Sequence, residues 1–292
     1  MPKLFDRVTI AGVGLIGGSL ALAARAAGLI GEVVGYGRTE ANLQTALRRG
    51  IIDRYSLEPL DAARDADLLL LAVPVRACGT VARACAPALR ADAVVSDVAS
   101  VKQSVMQDVE AALPAGLSFV GAHPIAGTEE SGAAAAVAQL FHASRCVLTP
   151  GPHTNPAALA KIRALWEGVG MHVEEMDAAR HDEIVAWTSH LPHVVAFSAA
   201  AAVADTDEAM ALLSGPSFRD LTRVAASSPE MWTDIFLANA AHIGRSVGAY
   251  AATLTELRRA ISAGDAAAVT KLLERARDAR RRWTARAAGG VG

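Results

Sequence analysis

Cysteine, aromatic residues and net charge are all scarce in this 292-residue chain, and each scarcity closes off a class of protein. The three cysteines, at 78, 85 and 146, are odd in number and show no Cys-x-x-Cys spacing, which excludes a disulfide framework and the common redox and zinc motifs. Cys78 and Cys85 lie seven apart in a helical stretch, the spacing of one packed face, and a reducing, cytoplasmic setting is the plain expectation. Aromatics make up 4% of the residues while alanine abounds, which favours close-packed helices over a sandwich or barrel. With 28 basic residues against 30 acidic ones, there is no electrostatic footprint for nucleic acid or a membrane surface. Long hydrophobic runs are missing too. The longest alanine-rich stretch, Val194 to Ala204, is too short and too weakly apolar to span a bilayer. Asp6 and Arg7 stand directly before the first strand, leaving no room for a signal peptide.

What is present is apolar: 52% hydrophobic residues against 20% charged ones, in a chain long enough for two domains of ordinary size. The most informative stretch comes first. Val8 to Ala11 reads as a buried strand, and Gly12, Gly14 and Gly17 follow with the G-x-G-x-x-G spacing of a dinucleotide-binding fingerprint. Gly12 makes the tight turn, Gly14 lets the backbone approach a pyrophosphate, and Gly17 lets the next helix pack close to the strand. The phosphates then meet the positive helix N-terminus at Leu15 and Ile16. Chains rich in alanine and glycine hit this pattern by chance. Here the apolar β-branched run before it and the helix formers from Ser19 to Ala27 after it supply the required context.

Strand and helix signals alternate through the first half. Strands are expected at Arg7–Ala11, Glu32–Tyr36, Leu68–Val73, Ala93–Asp97, Ser118–Ala122, Arg145–Thr149 and His172–Glu175. Helices are expected at Ser19–Ala27, Glu40–Arg49, Arg76–Leu89, Ser100–Ala112 and Pro156–Gly168. Such alternation argues for a mainly parallel sheet covered on both faces, with ligands along the edge where the strands end. After Met176 the strand signals stop. Asp177–Ala204, Asp207–Leu213, Phe218–Ala226, Pro229–Ala260 and Ala266–Ala287 read helical, and the residues beyond Arg286 read as a frayed tail. The expected fold class is α/β: a Rossmann-type, mainly parallel sheet over 1–176 that binds dinucleotide, then an all-α domain over 177–292. Alanine-rich helices with modest caps rely on packing, so the second domain is expected to form a homodimer and to help bind a small substrate. No internal repeat and no third domain after the helices are evident.

Several loops on the ligand edge carry candidate chemistry. The second strand ends Gly35-Tyr36-Gly37-Arg38-Thr39, with no acid at its tip to take ribose hydroxyls. Arg38, beside Thr39, offers a guanidinium for a 2′-phosphate, so NADP is favoured over NAD; the alternative is a solvated loop arginine. Val73 and Pro74 end the third strand and start a loop on the cofactor side. Ser100, after the fourth strand, either hydrogen-bonds a ligand hydroxyl or N-caps the next helix. His123, at the end of the fifth strand and before a proline, is placed as a general base or else is a structural histidine. Further on, Ser189-His190-Leu191-Pro192-His193 breaks a helix with a proline between two histidines. Their spacing and the lack of a nearby cysteine argue against zinc, and no metal is expected. Arg219 and Arg223 stand near Trp232, and either clamp a substrate carboxylate or lie solvated.

Taken together, these stretches resemble the prephenate/arogenate dehydrogenase family of tyrosine biosynthesis. The resemblance runs from Val8 to about Trp283. Its most specific pieces are Gly-Ala-His-Pro-Ile-Ala-Gly-Thr-Glu at 121–129, Ser-His-Leu-Pro-His at 189–193, and Leu-Thr-Arg-Val-Ala at 221–225 with Trp232. The resemblance implies an NAD(P)-dependent oxidative decarboxylation of prephenate or arogenate, in which aromatisation drives the reaction and the protein orients substrate and manages one proton. By resemblance His123 accepts the hydroxyl proton and Ser100 holds the same oxygen. Arg223 matches the arginine for a substrate carboxylate. Thr128, Glu129, His190, His193 and Trp232 match positions lining the substrate pocket, with Glu129 as a gate. Many NAD-dependent members carry an acid where this chain has Gly37, a departure that puts strict NAD use in doubt. No chorismate mutase segment is expected before residue 8 and no regulatory domain after the helices, so any tyrosine inhibition would be competitive. Two other readings stay open: another NAD(P)-dependent hydroxyacid dehydrogenase or imine reductase, and a dinucleotide-sensing regulator without turnover.

Overall fold

A computed structural model describes residues 3–128, 130–204 and 213–289, with the side chains from 286 onward outside the description. Among the described residues one eight-stranded sheet forms, in the order β3-β2-β1-β4-β5-β6-β7-β8. Its strands are β1 (Phe5–Ala11), β2 (Ile30–Tyr36), β3 (Arg54–Ser56), β4 (Leu68–Leu71), β5 (Val94–Asp97), β6 (Ser118–Ile125), β7 (Arg145–Thr149) and β8 (His172–Glu175). All pairings are parallel except β6 with β7. The central strands run apolar without alternation because both faces are covered; Leu68, Leu69, Leu70 and Leu71 are all buried. Strand order reverses beside β1, which pairs with β2 on one side and β4 on the other. That reversal opens a crevice at the strand ends, where ligands of such sheets bind.

The helices of the first half are α1 (Leu15–Ala26), α2 (Glu40–Arg48), α3 (Pro59–Ala63), α4 (Cys78–Cys85), α5 (Gln103–Glu110) and α6 (Pro156–Gly168). One apolar cluster joins α1 and α6 to one set of strand side chains, with Trp166, Phe5, Ile10 and Phe141 at its centre. A second cluster includes Cys78 and Cys85 of α4, Val105 and Val109 of α5, and Leu69 and Leu71. All three cysteines are buried and unbridged. After β8 come α7 (Ala178–Val185), a π-helical turn (Ala186–His190), α8 (Leu191–Ala202), α9 (Pro216–Thr222) and α10 (Pro229–Ala238). Trp232 and Ile235 of α10 join the second cluster, so this helix packs on the sheet side of the molecule.

The backbone divides into two compact units, Met1–His242 and Ile243–Gly292. The second consists of most of α11 (Ala240–Ser262) and all of α12 (Ala266–Gly289). Leu254, Ile261, Leu273 and Trp283 on these helices are exposed. No helix among the described residues is long and apolar enough to cross a membrane.

Several elements differ from expectation. Arg54–Ser56 and Pro59–Ala63 carry too few residues to show a period, and both were missed. The helix expected from Ser100 begins at Gln103, so Ser100 does not cap it; Lys102 holds the N-cap position. The stretch 189–193 does not break its helix. Pro192 has no N–H and its ring crowds the preceding turn, and the backbone answers by widening to a π turn, after which Pro192 sits in the first turn of α8. The helix expected over Pro229–Ala260 is split at Asn239, whose backbone leaves the helical region. Arg223 lies in a 3₁₀ turn, Arg223–Ala226, rather than inside a continuous helix from Phe218. The helix expected at Asp207–Leu213 falls almost wholly outside the described residues.

Trp166 is fully buried and meets Phe141 edge to face at 5.4 Å between ring centroids. Trp166→Ala is therefore expected to cost about 3–5 kcal/mol of stability, read as a lowered urea midpoint with an unchanged transition slope.

Candidate active site

The glycine-rich turn is built by exclusion. Gly12 has φ +92°, and a Cβ there would lie 2.1 Å from the carbonyl oxygen of Ala72. A Cβ on Gly17 would lie 2.6 Å from the Gly12 oxygen, so α1 seats against the turn only because both residues lack one. Around Gly14 nothing comes within 4 Å of the place a Cβ would take, leaving its backbone open to a ligand. No side chain caps α1. Its first-turn amides, Leu15 and Ile16 among them, are thus left for an anion, and this cradle fits the pyrophosphate of a dinucleotide. Beside it, Val73 and Pro74 lie in the loop after β4, with the Val73 side chain 3.2 Å from the position of a Gly12 Cβ.

Arg38 and Thr39 are exposed between β2 and α2, and Thr39 takes the N-cap position of α2 without a side-chain bond. The acid nearest in sequence, Glu40, accepts a hydrogen bond from the Tyr55 hydroxyl at 2.9 Å. A second bridge ties the turn to the loop beyond β6. The Asn42 amide donates to the Val13 carbonyl at 2.7 Å, and its oxygen accepts from the Ala133 N–H at 2.9 Å. Arg49 donates to the carbonyls of Ala133, Ala134 and Ala136.

The other half of the site is a buried polar chain. His123, within β6, places Nδ1 2.8 Å from Nε2 of His181 on α7. His181 Nδ1 in turn lies 2.8 Å from Asp182 Oδ1. Asp182 also accepts the backbone N–H groups of Lys102 (2.8 Å) and Gln103 (2.9 Å), capping α5 from a helix 80 residues away in sequence. Lys102, fully buried, pairs with the buried Asp97 and donates to the Ala122 carbonyl at 2.7 Å. Asp97 accepts from the Ala122 and Ala99 N–H groups at 3.0 and 2.9 Å, so neither charge is stranded.

Asn239, at the break between α10 and α11, donates to the Asp182 carbonyl at 2.9 Å and to His190 Nδ1 at 3.1 Å. His190 meets Trp232 edge-on, and His193 stacks on the same indole at 3.6 Å between centroids. His190 Nε2 and Trp232 Nε1 are buried without a partner among the described residues.

The structure thus joins His123, His190, His193 and Trp232 through contacts that run by way of His181, Asp182 and Asn239, three residues the sequence reading missed. Arg223 is exposed, and its charge acts on His193. Ser100 is half-buried in the loop two residues ahead of Lys102. Thr128 is exposed, its hydroxyl accepting the Glu130 N–H at 3.3 Å, and Glu129 lies outside the described residues.

Comparison with known proteins gives this arrangement a family. Residues 20–175 match the nucleotide-binding domain of prephenate dehydrogenase, and residues 177–275 match its dimerization domain. The chain belongs to the prephenate dehydrogenase family. It is similar to a cyclohexadienyl dehydrogenase of Zymomonas mobilis, 41% identical over 90% of each chain. The structure of Aquifex aeolicus prephenate dehydrogenase, solved with hydroxyphenyl propionate and NAD+, superposes with a TM-score of 0.88 at 32% identity, covering 95% of this chain and 98% of that one. Synechocystis arogenate dehydrogenase gives 0.78 at 29% identity, covering 95% and 99%. As a member of this family the chain is an oxidoreductase.

Its site histidines are held neutral. Burial pushes His123 well below the usual imidazole range, with the neighbouring His181, Lys102 and His190 adding to the shift. Burial also lowers His181, outweighing the opposing bond to Asp182. His190 is pushed down to about 4 by burial, and His193 is lowered for the same reason. Unfolded histidines take up protons near pH 6.5, whereas these folded ones do so only at lower pH. The unfolded state then binds more protons in that window, so stability is full above about 6.5 and falls as pH drops towards about 4. The urea midpoint at pH 5 should lie below that at pH 7.5; equal midpoints would contradict the neutral burial of these rings.

Proposed function

We propose that the chain catalyses the NAD(P)-dependent oxidative decarboxylation of prephenate, arogenate or both, giving 4-hydroxyphenylpyruvate or tyrosine. The observation that carries this reading is a neutral imidazole, His123, buried at the ligand edge of the sheet that also holds the glycine-rich turn. Gly12, Gly14 and Gly17, with the amides of Leu15 and Ile16, would hold a nicotinamide dinucleotide, which would supply the hydride acceptor. Val73 and Pro74 line the same crevice.

In this reading His123 takes the proton of the substrate ring hydroxyl as its carbon becomes a carbonyl, and Ser100 holds that oxygen. Loss of the ring carboxylate as carbon dioxide aromatises the product, so the protein's part is to orient the ring and receive one proton. Arg223 pairs with a substrate carboxylate, and its removal would weaken substrate binding. Thr128, Glu129, His190, His193 and Trp232 line the pocket. The helical segment from residue 177 supplies this wall and a homodimer contact. Three buried, unbridged thiols fit a reducing cytoplasm.

For the cofactor, NADP is favoured. Arg38 is exposed at the tip of β2, and the acid nearest in sequence, Glu40, is engaged by Tyr55. Arg38 is therefore placed to meet a 2′-phosphate, and no acid stands at the tip to take ribose hydroxyls.

Initial rates with prephenate and with arogenate, each with NAD and NADP, test the activity. Turnover of either is expected, whereas dinucleotide binding with silence in all four assays would point to a non-catalytic sensor or another reductase. His123→Asn should lower kcat by about 10²–10⁴-fold with KM little changed. The wild-type rate should stay level through neutral pH and fall only below the ordinary imidazole range, because protonated His123 is no base. Arg38→Ala should lower kcat/KM for NADP by about 10–100-fold, the loss of a charge-assisted phosphate contact, and leave NAD within about twofold. An equal loss with both cofactors would remove Arg38 from cofactor choice.

A further inference from the structure

We infer that His181 and Asp182 form a positioning relay that fixes which nitrogen of His123 carries its proton and so leaves Nε2 as the base. The inference rests on the proposed role of His123. It follows from hydrogen-bond bookkeeping along one buried line of atoms.

A carboxylate only accepts. Asp182 already receives the N–H groups of Lys102 and Gln103, which anchor both of its oxygens at the start of α5. The 2.8 Å contact with His181 Nδ1 therefore has the proton on that nitrogen. A neutral His181 then has its lone pair on Nε2 and can only accept there. His123 Nδ1, 2.8 Å away, must be the donor. With its one proton on Nδ1, neutral His123 has an unprotonated Nε2.

The ring planes of His123 and His181 lie 74° apart, so this is an edge contact through nitrogen rather than a stack. Asp182 is itself held: its carbonyl accepts from Asn239, whose amide orientation is fixed because that carbonyl can only accept. The relay also works after proton transfer. When Nε2 of His123 receives the substrate proton, the new imidazolium keeps Nδ1–H aimed at His181 Nε2, with the Asp182 carboxylate behind it. No covalent bond changes in His181 or Asp182; they act through His123 and are positioning residues.

The test pairs kinetics with a direct reading of the tautomer. In protein labelled with 15N at histidine, His123 (assigned by the signal lost in His123→Asn) should show a protonated Nδ1 and an unprotonated Nε2. His181→Phe removes the acceptor, and kcat should fall about 10²–10⁴-fold, while KM and dinucleotide affinity stay within about threefold. His181→Gln returns an amide oxygen to the same place and should recover at least tenfold of that loss. Unchanged dinucleotide binding in both variants separates this effect from misfolding. A proton on Nε2 of wild-type His123, or a His181→Phe enzyme within threefold of wild-type kcat, overturns the relay. Should the wild-type protein turn over neither prephenate nor arogenate, the spectrum still decides the relay, so the two readings fail separately.

Discussion

One carboxylate, that of Asp182, joins three elements of the candidate site: α5, α7 and, through His181, strand β6. It reaches from α7 to cap α5 through two backbone N–H groups and holds His181 with the same Oδ1 that accepts from Lys102. The α5 end carries Lys102, whose ammonium is locked to Asp97 and to the carbonyl beside His123. Asn239 closes the far side by donating to the Asp182 carbonyl and to His190. Sheet edge, capped helix and helical wall therefore share one set of hydrogen bonds. Any displacement of α7 is felt at once at His123 and at the start of α5.

Burying an ion pair such as Lys102–Asp97 gains little stability over an apolar pair, because desolvation of both charges offsets their attraction. Its use here is directional. The Lys102 Nζ donates to the Ala122 carbonyl, and the Ala122 N–H donates back to Asp97, so both backbone groups of the residue before His123 are fixed. Strand β6 is thereby pinned from below at the point where its imidazole must be aimed. The positive charge also helps keep His123 neutral.

Much of the fold was legible in the sequence because it rests on local signals. The glycine turn, the leucine strand and the longer first-half helices announce themselves by spacing and period. What was not legible falls into two kinds. Arg54–Ser56 and Pro59–Ala63 are too short for periodicity. The relay residues are invisible for another reason: His181 and Asp182 stand in a polar stretch, Asp177-Ala178-Ala179-Arg180-His181-Asp182-Glu183, that looks like any solvated helix start, and only the tertiary fold turns two of them inward. A fully buried Lys102 was likewise unforeseeable, since its partner's role emerges only when β5 and β6 are paired. His123 and His190 stood out in the sequence by their place close to a proline, and with Trp232 by motif resemblance, rather than through any periodic signal.

The π turn at Ala186–His190 sets the phase of everything that follows it. A π turn takes in one residue more than an α turn, and each residue advances a helix by about 100°. Rewinding those residues as regular α-helix with none removed would rotate α8 by about that angle about its own axis. His193 would leave the Trp232 indole on which it stacks, and the registry between α7 and α8 would be off by more than a quarter turn. The wall of the pocket is thus a matter of angular phase, and a chain of the same length wound without the π turn would keep every side chain of this site while facing some of them the wrong way.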